Sequence, residues 1–165
     1  MLEVERVRDN MRTIILSFSE EWYPPLICGE KIYEHRKRFC NEPVKAYIYL
    51  GLPRRQIVAI VELGQREHLE EWLERYKEDI DAVKRINDYL TRNKYAMPVL
   101  SVQEIEPIDI RDMETVVKGF RVPISYMFID DKPLIYEYIK DRTTLVGAKI
   151  VHDFTNITSR DVCLC

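Results

Sequence analysis

Gly29-Glu30-Lys31-Ile32-Tyr33-Glu34-His35-Arg36, extended by Lys37 and Arg38, spaces glycine, lysine, glutamate and arginine as G-x-K-x-x-E-x-R. Gly29 lets the backbone turn tightly or into the left-handed region, and Lys31 follows two residues later as a mobile ammonium. Ile32-Tyr33 has the β-branched and aromatic character of a strand start. Period-2 alternation then puts Glu34, Arg36 and Arg38 on one face and Tyr33, His35 and Lys37 on the other. An acid set between a turn lysine and two arginines suits an anionic ligand, with Glu34 orienting the cations or accepting from a base or sugar. A solvated edge strand kept from aggregating by its charges has the same composition.

Working outward on the N-terminal side, Arg12 to Phe18 reads as a buried strand. Ser19 is a candidate N-cap ahead of acidic Glu20 and Glu21. A short helix follows, with Pro24 and Pro25 near its start, Leu26, Ile27 and Cys28 as its apolar side, and Gly29 as its stop. On the C-terminal side, Ala46 to Leu50 and Ile57 to Leu63 are strand-like and are separated by Gly51-Leu52-Pro53, which predicts a hairpin or meander. From Gln65 to Lys94 there is no Gly or Pro, and apolar residues recur every three or four positions from Leu69 to Leu90. This is amphipathic helix, in one piece or two, and reads as scaffolding. A strand over Ala96 to Ile105 ended by Pro107 is expected next, then a short helix near Asp109 to Val117. A strand over Ile124 to Ile129, a helix over Pro133 to Asp141 and a last strand over Thr144 to Ile150 complete the pattern. The polar stretch through Thr158, Ser159 and Arg160 reads as loose.

At 165 residues and 46% hydrophobic the chain has enough apolar surface for one core. Its net charge of −3 excludes a generally basic nucleic-acid binder. Between Cys28 and Arg55, however, seven cations face three acids, a local balance of +4. No apolar run approaches the roughly 20 residues that span a bilayer, and the N-terminus has no signal-peptide pattern, so a cytoplasmic protein is expected, with no membrane partner. Four cysteines in no disulfide-framework spacing predict reduced thiols. Cys163-Leu164-Cys165 joined by Cys28, Cys40 or His35 in a zinc site is the alternative. No dinucleotide or triphosphate glycine loop is present among the five glycines, and no cofactor or metal is implied.

Five or six strands with helices at the connections predict an α+β domain on a small, partly open β-barrel. With the motif set between a short helix and a strand, the chain resembles the ASCH domain, a branch of the PUA-like superfamily, at Gly29, Lys31, Glu34 and Arg36. The resemblance extends over about residues 11–130 of a single domain spanning 1–165, and leaves 131–165 as a C-terminal extension. It implies a PUA-like barrel, with the motif lining a cleft that binds RNA or a nucleotide-like ligand. Lys31 would point into that cleft beside Glu34 and Arg36, and Arg38, Arg54 and Arg55 would supply phosphate contacts. Tyr33, Tyr47 or Tyr49 would stack on a base. Glu62 is a further acid that can face the same cleft. Relatives that cleave acylated cytidine carry a nucleophilic Thr where this chain has Glu34, which argues against that covalent route. A hydrolase acting on a modified nucleoside amide or an RNA phosphodiester, with Lys31 and Glu34 as the catalytic pair, is the alternative to a binding protein. An adaptor that docks a protein partner on the acidic helix from Glu67 to Asp88 is a third reading.

Overall fold

The computed structural model describes residues 10–165. Ile14, Ile15 and Leu16 make the first strand, β1 (Arg12–Phe18), apolar on both faces. Such a strand must lie inside a sheet, and β1 runs parallel to β3 (Val44–Leu50), from Arg12 opposite Val44 to Phe18 opposite Leu50. A parallel pair needs a long crossover. Here it holds a 3₁₀ turn at Glu20–Trp22, helix α1 (Tyr23–Ile27) and strand β2 (Tyr33–Arg36). Strand β4 (Gln56–Leu63) returns antiparallel to β3. The long β6 (Tyr95–Asp109) then pairs with β4 and, further along the same side, β5 (Glu67–His68), and with β2 and β8 (Leu145–Val151) on the other. With β7 (Tyr126–Phe128) on the outer side of β1, eight strands among the described residues form one sheet, which curls into a half-barrel.

Alternation along the strands sends side chains into two different cores. Ile14, Leu16, Ala46, Ile48, Val61 and Val102 pack with Tyr23 and Leu26 of α1. Ile15, Tyr47, Tyr49, Ile57 and Ile108 pack on the opposite face against α4 (Ile110–Val116) and α5 (Pro133–Arg142), through Ile110, Met113, Tyr138 and Ile139. A third cluster joins Tyr33 and Ala96 to α2 (Leu69–Arg75) and α3 (Ile80–Leu90), around the fully buried Trp72.

The helical stretch is in two pieces. Asp79 accepts a hydrogen bond from the Ala82 N–H at 3.1 Å and starts α3 afresh. Residues 67–68 belong to the sheet rather than to the helix. Ser19, expected as a side-chain N-cap, makes no capping hydrogen bond. Pro107 does not end its strand. Ala59 pairs with Glu104 and Ile57 with Ile108, so residues 105–107 form a bulge against β4 and the missing proline N–H falls where the β4 ladder is already interrupted.

The C-terminal segment is docked, not loose. Ser159 Oγ donates to Asp79 Oδ2 at 2.6 Å, and Arg85 donates to the carbonyls of Ser159 and Val162 at 2.8 and 3.2 Å. Val162 and Cys163 are thereby buried in the third cluster. Among the described residues no helix is long and apolar enough to cross a membrane.

Candidate functional site

Where α1 ends, Gly29 takes φ +84° and its N–H reaches the Leu26 carbonyl at 3.3 Å. That left-handed residue folds the chain back, so the Pro25 carbonyl accepts from both the Glu30 and the Lys31 N–H, at 3.0 and 2.9 Å. Lys31 is therefore fixed at its backbone before its side chain begins. The side chain is only 4% exposed, with Nζ 3.5 Å from Glu34 Oε2 and 5.5 Å from the centre of the Trp22 ring. The other carboxylate oxygen of Glu34 accepts from Arg36 Nε at 2.8 Å, and Arg36 Nη2 donates to the Ser17 carbonyl on β1 at 2.8 Å. The motif is thus one connected network: charge-assisted hydrogen bonds run from the β1 backbone through Arg36 to Glu34, and an ion pair joins Glu34 to Lys31. Its two cations and one anion leave a net positive charge at the buried end.

That end faces a cavity of about 440 Å³, walled by Glu21, Trp22, Lys31, Glu34 and His35 on one side, by Asp88 and Tyr89 in the last turn of α3 with Arg92 and Asn93 just after it on another, and by Cys165. Burial, with Lys31 adding to it, lowers the His35 pKa to about 3, so its ring is neutral. The ring stands edge-on to Tyr89 with centroids 4.6 Å apart, and its buried Nε2 has no hydrogen-bond partner. Cys165 Sγ lies 3.7 Å from the Glu30 carbonyl, and burial raises its pKa.

The structure brings together Lys31, Glu34 and Arg36, with Arg36 behind the wall as the anchor. Arg38 lines a neighbouring groove. Arg54 pairs with Glu20 at 2.8 Å and lies over Tyr23, and Arg55 pairs with Glu114; neither lines the cavity. Tyr33 turns away from it, packed edge-on against Trp72 and Phe154 at 5.0 and 5.4 Å, so it is a core residue and offers no stacking face there. Tyr47 and Tyr49 are buried beneath α4 and α5. Glu62 accepts from Ser101 Oγ and pairs with Lys149 at a separate cavity. The exposed aromatic at the Lys31 cavity, beside Tyr89, is Trp22, 39% exposed, whose place on an acidic turn ahead of two prolines gave no apolar period to explain it. Asp88, Tyr89 and Arg92 were hidden in a helix that reads as scaffold, and Cys165 in a tail that reads as loose.

All four cysteines are free, and among the described residues no group of three or more His, Cys, Asp or Glu side chains is placed to hold a metal ion. No family model and no curated protein matches the sequence. Among solved structures, the ASCH protein of Zymomonas mobilis superposes with a TM-score of 0.61 at 20% identity, over 82% of this chain and 99% of that one. The chain has the ASCH fold. Two single-substitution variants of the same Zymomonas mobilis protein match at TM-scores of 0.60 and 0.58 and 18% identity, over 82% and 81% of this chain and 99% of theirs. The ASCH fold is PUA-like, in agreement with the partly open barrel expected, although the sheet has eight strands among the described residues where five or six were expected.

Proposed function

We propose that the Lys31 cavity binds single-stranded RNA or a nucleotide-like anion in a cytoplasmic setting. One observation carries the reading. Lys31 is an almost fully buried ammonium with three donors, and its only hydrogen-bonding or charged partner among the described residues is Glu34 at 3.5 Å. A buried charge with unspent donors at an open cavity is costly unless an acceptor arrives, and a phosphate or base carbonyl oxygen meets that need. Trp22 offers an exposed ring at the same wall for a base to stack on. Glu34 serves this reading as a clamp, because one of its oxygens accepts from Arg36 and the other is paired with Lys31.

Lys31→Met keeps the apolar stem and leaves the Glu34–Arg36 pair intact. Binding of labelled single-stranded RNA, measured across salt, should weaken about tenfold or more, the loss of one charged hydrogen bond. The slope of log affinity on log salt should fall by about 0.7, the value of one single-strand phosphate contact. Unchanged affinity and slope would remove the motif from binding.

The proximity of Lys31 and Glu34 also supports a hydrolase reading, in which Lys31 stabilises charge developing on an amide or phosphodiester oxygen. Incubation with acylated cytidine and with single-stranded RNA in the absence of metal separates the two, since a binding protein turns over neither.

A further inference from the structure

A second concave surface continues from the Lys31 cavity, and Arg92 and Asn93, just after α3, line both. Beyond that shared ridge lies a groove of about 570 Å³ between the residues that follow β2 and the start of β6. Lys37, Arg38, Arg66, Arg92 and Lys94 line it, against the single acid Glu70.

Arg12, Arg54, Arg75 and Arg111 each lie on a carboxylate, whereas among the described residues Lys37, Arg38, Arg92 and Lys94 make no ion pair. Arg66 is held as a fixed floor charge: its guanidinium lies 4.2 Å over the Tyr95 ring, Nη1 donates to the Phe39 carbonyl at 2.5 Å, and its buried Nε has no partner. An acidic chain that gathers like charges without counter-ions holds a local field for a polyanion.

Resting on the reading of the Lys31 cavity as a nucleotide site, we infer that this groove is a phosphate track. The ligand is then an oligonucleotide: one nucleotide enters the cavity, and the phosphates of its neighbours cross the Arg92 ridge into the groove. A mononucleotide would leave the groove's charge unmet. The contacts here are backbone contacts, so they add affinity and position without reading sequence.

The test is a length series, from a mononucleotide to an oligonucleotide of about eight residues, titrated by fluorescence anisotropy against the wild type, Lys31→Met, and an Arg38→Ala/Lys94→Ala double variant. Both groove residues are exposed, so the double variant leaves the cores untouched. In the wild type, affinity should climb with length and then level off. The double variant should keep mononucleotide binding, lose most of the gain with length, and show a salt slope smaller by about 1.4 for two lost phosphate contacts. Equal wild-type affinity for one and eight nucleotides, or a double variant with the full gain, overturns the track while leaving the cavity reading standing. Mononucleotide binding that survives Lys31→Met overturns the cavity reading, and the track with it. A polyglutamate peptide that competes as well as the oligonucleotide overturns the assignment to nucleic acid.

Discussion

Between pH 7 and pH 5, His35 should cost the protein about 2 kcal/mol of stability. Its imidazole is enclosed by the Tyr89 edge and the motif strand. Burial first, and the Lys31 charge second, take its pKa from the ordinary 6.5 down to about 3. Unfolding returns the ring to water, where it binds a proton near pH 6.5. Throughout the window from 6.5 to 3 the unfolded chain therefore holds more protons than the folded one, and stability falls as the pH falls through it. Integrated between pH 7 and 5 this amounts to about 2 kcal/mol, and with a urea dependence near 2 kcal/mol per molar it moves the unfolding midpoint by roughly 1 M. His35→Phe keeps an aromatic ring, does not titrate, and removes the unpartnered Nε2. Urea unfolding followed by tryptophan fluorescence at the two pH values, for wild type and variant, isolates the effect. The carboxylates with lowered pKa, such as Asp130 and Asp153, and the partly buried His152 titrate alike in both proteins. Parallel pH dependence in the two would refute the account.

Replacing Glu34 by Gln leaves Lys31 and Arg36 facing a neutral amide, and should cost about 3 kcal/mol in chemical denaturation, as breaking a buried ion pair does; a loss near zero would mean the carboxylate is no clamp. Gly29→Ala should cost about 1 kcal/mol in thermal unfolding for its φ of +84°, with no steric contribution, because the new Cβ would meet its nearest neighbours, His152 and Ile150, at 3.6 and 3.8 Å. A neutral Ala would count against the left-handed helix stop. Under native conditions an aromatic disulfide reagent should label Cys28 first. Cys163, its thiol buried and pushed up to about 12, should react only on unfolding, and peptide mass spectrometry reads the order.

The strands were legible where side chains alternate against two cores, as at Ile14-Ile15-Leu16 and along residues 44–50. The helix stop was legible because Gly29 follows an apolar turn. Pro107 misled, since a proline in a bulge and a proline that ends a strand look alike until the partner strand's register is known. The tail misled for a similar reason: Ser159 and Arg160 are polar, but the partners that dock Ser159 and Val162, Asp79 and Arg85, lie about 75–80 residues away along the chain. At the site, Lys31, Glu34 and Arg36 could be read because turn and strand geometry alone connects them. Trp22, Tyr89, Arg92 and Cys165 carry no local signal, and only the folded chain makes them neighbours. Arg54 and Arg55 looked equivalent to Arg38 in composition, and it took Glu20 and Glu114 to show that their charges are spent elsewhere.

Because the cavity draws its walls from residues 21–22, 31–35, 88–93 and 165, it has no counterpart in a partly folded chain. Any molecule that fits it binds the completed native state alone, so occupancy raises the free energy of unfolding of the whole protein. At a hundredfold excess over Kd the gain is about 2.7 kcal/mol, which for a chain of this size lifts Tm by roughly 5–10 °C. Melting temperature thus becomes a ligand detector that needs no assumed chemistry. A library of nucleotides and short oligonucleotides can be ranked by heat alone.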